Sequence, residues 1–268
     1  MKSIKKAAAA VSAVMFFSSL GMSVPVYGYD IPCLSASEIC SLDNTCIGYG
    51  QGRDCDDKNR PYGAVDFNGA YGKYGAFALT DYGNNICLSF DQGYENGYTS
   101  KILDTLRDKN VKAVFFLTGD YAKREHELVQ RMIDEGHIIG NHGMKHASLP
   151  SLSYNEAVEE ISSLHDYVRE NYGYEMTLFR PPCGEYSEQA LAVAQSLGYK
   201  TMLWSFAYCD WNVNAQPDPA ASLSRAVDAA HDGAVYLLHS VSETNCNILP
   251  DVIDNIRAAG YDFTVPIF

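Results

Sequence analysis

Residues 86–119 read ICLSFDQGYENGYTSKILDTLRDKNVKAVFFLTG, and their order decides the fold. Ile86 to Phe90 is a short apolar run of strand length that stops at Asp91. A polar, Tyr-rich loop follows, then the helical segment SKILDTLRDKN, then a second apolar run in VKAVFFLTG. Strand, helix, strand is a crossover unit, and a crossover of this length joins parallel strands. An acid at the mouth of a buried strand usually has a job. Its neighbour Gln92, a neutral amide, stands where a second acid would look more natural.

The same alternation continues outward. YAKREHELVQRMIDEG is followed by HIIGN, and then by a helix from about 154. Ser153 and Glu156 have capping-box spacing there, and Val158, Ile161, Leu164 and Val168 share one face. TLFR, KTMLWSF, AVYLLH and YDFTVPI are the remaining strand-like runs, separated by SEQALAVAQSLG, DPAASLSRAVDAAHDG and LPDVIDNIRAAG. About seven such units predict a distorted or incomplete (β/α)7-type barrel with parallel strands. Residues 29–85 lack this periodicity, being rich in Gly, Tyr, Asp and Asn. The expected organisation is a signal peptide at 1–28, a loop-rich extension at 29–69 and the main domain at 70–268.

Polar residues recur just beyond the strand ends. Asp91 follows the first run, His142 follows HIIGN and Arg180 ends TLFR; Asp210 and Trp211 follow KTMLWSF, and His239 ends AVYLLH. The C-terminal ends of parallel barrel strands form one face, where active sites are built. Five groups in equivalent places are hard to explain as core filling. In NHGMKH, His142 and His146 are four apart, so one helical turn would bring both imidazoles to one side at a metal-ligand spacing. In RPPCGEYS, Pro181 and Pro182 stiffen the chain and lack N–H groups, which fixes the direction of the Cys183 amide. A fixed N–H facing a pocket suits an oxyanion. His126, His165 and His231 lie in helical segments and read as surface or capping residues, while His137 has no partner at ligand spacing.

The 268 residues carry a formal charge of −13, which argues against nucleic acid or an anionic surface as partner. Lys2, Lys5 and Lys6 precede an apolar run, so 1–28 reads as an export signal, with an uncleaved anchor as the alternative. Without those residues, which contain no acid, the charge is −16. Cys33, Cys40, Cys46 and Cys55 crowd into one short exported segment and are expected to form two disulfides; zinc is the competing reading, but C-x-x-C is lacking. Cys87, Cys183, Cys209 and Cys246 are scattered and read as small core hydrophobes. No phosphate-binding loop or dinucleotide fingerprint is present.

Taken in order, SFDQGYENGYT, NHGMKH, RPPCGEYS, DW at 210–211 and LLHS at 237–240 resemble the polysaccharide deacetylases with a NodB-homology domain. The resemblance covers about 70–268. It is strongest toward the muramic-δ-lactam-forming deacetylases of spore cortex peptidoglycan, through YGKYGAFAL, DQGYENG and LLHSVS. It implies an exported hydrolase that removes N-acetyl groups from peptidoglycan, chiefly from N-acetylmuramic acid, with a divalent cation such as zinc. By resemblance, Asp91 is the base, His142 and His146 are metal ligands, and Arg180 holds the base. The Cys183 amide faces the oxyanion, Trp211 and Leu238 are pocket walls, Asp210 tunes the catalytic histidine, and His239 is the general acid. Gln92 departs from the pattern. Most of the family has a third, acidic ligand there, so Gln92 is expected to be a weak or absent one. Rival substrates are N-acetylglucosamine of peptidoglycan or chitin, and acetylated xylan. A rival of another class is a non-catalytic wall-binding protein, which would have no need of Asp91 or His239.

Overall fold

The first crossover forms as its sequence demands. In the computed structural model, which describes residues 34–266, the run opening at Asn85 becomes a strand that carries on through Asp91 to Gln92. Asp91 is therefore part of the strand and not the residue after it. The expected signal segment 1–28 and Cys33 lie outside the described residues.

Three short elements come before the repeating units: α1 (Ala36–Cys40), β1 (Ile47–Gly48) and α2 (Tyr62–Tyr71). The barrel strands then follow, interleaved with helices and with one short strand at 185–186 that pairs with β1 outside the main sheet. They are β2 (Ala76–Phe77), β3 (Asn85–Gln92), α3 (Thr99–Asp108), β4 (Val114–Leu117), α4 (Gly119–Arg124), α5 (His126–Asp134) and β5 (Ile138–Asn141). Next are α6 (Tyr154–Tyr172), β6 (Leu178–Phe179), β7 (Glu185–Tyr186), α7 (Glu188–Ser196) and β8 (Lys200–Met202). The chain finishes with α8 (Pro219–Asp228), β9 (Val235–His239), α9 (Glu243–Ala258) and β10 (Asp262–Phe263).

Eight strands form one curled sheet in the order β10-β3-β4-β5-β6-β8-β2, with β9 also paired to β3. All of its strand pairings are parallel. Beyond β8 the curl reaches β9 through a single parallel bridge, Phe206 to Tyr236. The expected incomplete parallel barrel is therefore what forms. Ile86, Leu88 and Phe90 on β3 and Val114 to Leu117 on β4 are fully buried, with Phe90 stacked on Phe115 at 5.2 Å. On α6, the predicted cap is present in both directions between Ser153 and Glu156, a feature that contributes about 1 kcal/mol.

The extension differs from its reading. Residues 62–71 form a regular helix across the expected 69/70 boundary, with Ala64 and Phe67 in the main core. Cys40, Cys46 and Cys55 are exposed free thiols, so the expected pair of disulfides does not form among them. Each is tied down separately: Cys40 ends α1, Cys46 precedes β1, and Cys55 bridges to Pro61. Among the described residues no helix is long and apolar enough to cross a membrane.

Candidate active site

Sheet register brings the polar groups to one level. Asp91 pairs with His239 across β3 and β9, and Asn141 pairs with Phe179, so His142 and Arg180 leave their strands side by side. The resulting cavity of about 580 Å³ is lined by Asp91, His142, His146, Cys183, Trp211 and His239, among others. A smaller lobe of about 190 Å³ adds Tyr94. Trp211 is 56% exposed and Tyr94 51%, so both rings offer open faces at the rim.

Arg180 is fully buried and holds the cavity floor. Its Nη1 donates to Asp91 Oδ1 at 2.7 Å and its Nη2 to Ser89 Oγ at 2.8 Å, while Nε donates to the Met202 carbonyl at 3.0 Å. The guanidinium also lies 4.1 Å from the centre of the Phe116 ring. Burial pushes the Asp91 carboxyl up, but Arg180, then His142 and His239, outweigh it and hold it below its ordinary range. Asp91 is thus a fixed anion.

His142 Nδ1 meets the Arg180 carbonyl at 2.8 Å. A carbonyl only accepts, so Nδ1 carries the proton and Nε2 keeps its lone pair. Burial lowers the His142 pKa to about 4, which keeps the ring neutral. Its Nε2 lies 3.4 Å from Asp91 Oδ2 and 3.2 Å from His146 Nε2. The two imidazoles do not meet by a helical turn. Gly143 has φ +85° and His146 φ +57°, and these two left-handed residues fold the loop back on itself. Glu160 on α6 holds that loop. Its Oε1 accepts from the Lys145 amide at 2.7 Å and the Ala147 amide at 3.1 Å, and a Cβ on Gly143 would lie 2.7 Å from it.

A second charge pair stands opposite. His239 Nδ1 donates to Asp210 Oδ1 at 2.7 Å, and the His239 amide to Asp210 Oδ2 at 2.8 Å. Asn245 donates to the same carboxylate and is itself bonded by Tyr208. Burial opposes charge on His239, but its bond to Asp210 prevails and the pKa is raised.

Two expected residues fall elsewhere, for one reason. Side chains on a strand alternate between faces. With Ser89 and Asp91 turned to Arg180, Gln92 points the other way: it does not line the cavity, and its Nε2 donates to Ser240 Oγ at 2.5 Å. Its Oε1 is buried without a partner. Likewise Leu238 is buried beside Phe90 in the register, and Leu237, not Leu238, faces the cavity. Cys183 and Cys209 also line it and are exposed, whereas Cys87 and Cys246 are buried as expected. His231, read as a surface or capping residue, is buried against Ser205, with its Nδ1 2.8 Å from the carbonyl of Ala229 at the C-terminal cap of α8.

Glu160, Asn245, Gln51 and Tyr94 were missed. Only Glu160 had a clear signal: it sits with Ala157, Ile161 and Leu164 on the buried face of α6, where an acid is out of place. Tyr94 lay in the quoted loop, but Asn245 and Gln51 reach the site only through long-range packing.

Residues 80–202 match the family described as Polysaccharide deacetylase. The peptidoglycan-N-acetylmuramic acid deacetylase PdaA of Bacillus subtilis is 38% identical over 85% of this chain and 87% of its own. The chain belongs to the polysaccharide deacetylase family. The structure of Bacillus subtilis PdaA, a family 4 carbohydrate esterase, superposes with a TM-score of 0.78 over 83% of this chain and 96% of that one. A family 4 carbohydrate esterase from Bacillus anthracis gives 0.68 at 36% identity, covering 84% and 95%. The peptidoglycan-N-acetylglucosamine deacetylase PgdA of Listeria monocytogenes is 32% identical over 66% of this chain and 37% of its own length.

Deacetylases of this family are metal-dependent in general, and the donor set fits an ion in part. Two nitrogens each about 2.0–2.1 Å from a tetrahedral zinc lie roughly 3.3 Å apart, and the two Nε2 atoms here are 3.2 Å apart. A third, anionic ligand is lacking: among the described residues no three His, Cys, Asp or Glu side chains group around one point.

Proposed function

We propose that the protein is an exported amide hydrolase that removes N-acetyl groups from peptidoglycan, acting on N-acetylmuramic acid residues. The observation that carries this reading is the pairing of Asp91, held by Arg180, with His239, held by Asp210, across one cavity, the first with its pKa lowered and the second with its pKa raised by those partners. A lone anion or a lone histidine is common; two oppositely tuned groups facing each other divide acid from base. The PdaA likeness over most of both chains supports muramic acid as substrate, and spore cortex as its setting rests on the sequence resemblance through YGKYGAFAL, DQGYENG and LLHSVS.

Asp91 takes the proton of the attacking water, because Arg180 keeps it ionised and oriented. The oxygen attacks the acetamide carbonyl, and negative charge develops on the carbonyl oxygen. The Cys183 amide, the first N–H after two prolines, receives that charge at the cavity wall. Cys183 has φ +58°, a left-handed conformation in which the Pro181–Gly184 turn locks it. His239 then protonates the departing amine, a poor leaving group if left unprotonated. Asp210, supported by Asn245, keeps His239 charged until that moment. His142 and His146 would hold a divalent cation, zinc in the first instance, which when bound lowers the pKa of water and polarises the carbonyl. Trp211 and Tyr94 give the sugar rings apolar faces to stack on.

Acetate release from acetylated peptidoglycan tests the reading. Asp91→Asn and His239→Ala should each lower turnover at least ~10²-fold while the protein stays folded by circular dichroism. Near-normal turnover in either folded variant would refute the assignment of base and acid.

A further inference from the structure

The extension outside the matched family region supplies one wall of the cavity. Its strand β1 pairs antiparallel with β7, directly after the Cys183 turn, and the Tyr49 amide donates to the Gly184 carbonyl at 2.9 Å. Tyr49 OH then bonds the Trp204 carbonyl at 2.5 Å, with the two rings edge to face at 5.1 Å. Two residues later, Gln51 lines the cavity beside the catalytic groups. Helix α2 presses this strap inward. The Gly63 amide donates to the Gln51 carbonyl at 3.2 Å, and a Cβ on Gly63 would lie 2.7 Å from that oxygen.

The Gln51 side chain has a fixed orientation. Trp204 Nε1, which can only donate, reaches Oε1 at 2.9 Å. The Ala207 carbonyl, which can only accept, takes one hydrogen from Nε2 at 3.2 Å. The amide therefore cannot flip. One N–H remains on Nε2, and no Lys or Arg is among the residues lining the cavity. An anionic group entering there meets a preset neutral donor. Hydrogen bonds to charged acceptors are about twice as strong as neutral ones.

We propose that Gln51 is a specificity-determining residue: its free N–H binds the sugar substituent beside the acetamide, and it favours an anionic 3-O-lactyl ether over a free hydroxyl. This rests on the reading of the cavity as a glycan deacetylase site. It gives the extension a role in substrate choice, since N-acetylmuramic acid and N-acetylglucosamine differ by that ether.

The test compares KM and kcat on a peptide-free N-acetylmuramic glycan and on an N-acetylglucosamine oligomer. Gln51→Glu keeps the acceptor for Trp204 but replaces the donor with a negative charge. Gln51→Met keeps the volume with neither donor nor acceptor. Both should raise KM on the muramic glycan roughly tenfold or more, with kcat and the glucosamine KM within about threefold. Trp204→Phe removes a support yet leaves the donor, and should retain the preference. Equal changes on both substrates, or none, would reduce Gln51 to a strut and overturn the proposal. Titration calorimetry of the same glycans on Asp91→Asn, with and without Gln51→Glu, reads the contact apart from turnover. Loss of muramic binding there, alongside a wild type that releases no acetate, would count against the reaction and not the contact.

Discussion

Two residues on one strand show how far position decides chemistry. Asp91 faces Arg180 and Gln92 faces Ser240, although they are neighbours. We therefore expect Gln92→Leu to leave zinc affinity within about threefold, and His146→Ala to lower it more than tenfold, as read by titration calorimetry. A large loss in the first variant would show that the amide turns to the ion. The titrating groups set a pH profile as well. Asp91 is held below its ordinary value and His239 above its own, so the active pairing spans the interval between them. In kcat/KM the alkaline limb belongs to His239, and Asp210→Asn should move it to lower pH. An unmoved limb would mean that Asp210 does not hold that proton. Stability follows the opposite signs of the two histidines. His142, lowered to about 4, binds a proton more readily when unfolded, so stability falls as pH drops from about 6.5 toward 4. His239, raised, stabilises below the unfolded histidine value, and that contribution is lost as pH rises through its folded pKa.

Among the elements, α6 does more than cover the sheet. Glu160 satisfies two amides of the histidine loop, and the Ile161 carbonyl accepts from Asn141 Nδ2 at 2.8 Å. Removing the carboxylate leaves two part-buried amides without their acceptor, at no more than about 1–3 kcal/mol each. Glu160→Ala should thus weaken zinc binding by about 10–100-fold, the usual scale for a group that orients ligands. Glu160→Gln, which keeps the acceptor, should retain most of the affinity; equal losses would point to charge and not to loop geometry. This element was legible in sequence because cap and periodicity agree at Ser153, Glu156 and the apolar face. The loop it holds was not. The spacing of His142 and His146 fits a helical turn as well as a left-handed one, and tertiary contacts decide between them, those of Glu160 together with the Gly143 amide on Asn141 Oδ1 and the Gly119 amide on the Gly143 carbonyl. Helix α2 was hidden by its Gly and Tyr content, which carries little helical preference until Ala64 and Phe67 find the core.

At the scale of the molecule, a parallel barrel collects strand ends on one face, and that rule located Asp91, His142, Arg180, Asp210 and His239 before any contact was known. What the rule leaves open is whatever depends on facing and on distant pairing. It did not separate Leu237 from Leu238, and it gave no hint that residues 47–51 would close the cavity. The free thiols at Cys40, Cys46 and Cys55 show the same limit, since compartment and crowding do not fix the geometry a disulfide requires. The proposed enzyme is a glycan N-deacetylase that selects muramic residues. Mass analysis of glycan fragments from peptidoglycan treated with the zinc-supplied protein tests it most directly. Muramic residues should lose their acetyl groups while the glucosamine residues keep theirs. Acetyl groups retained on the muramic residues, or lost from the glucosamine residues alone, would contradict it.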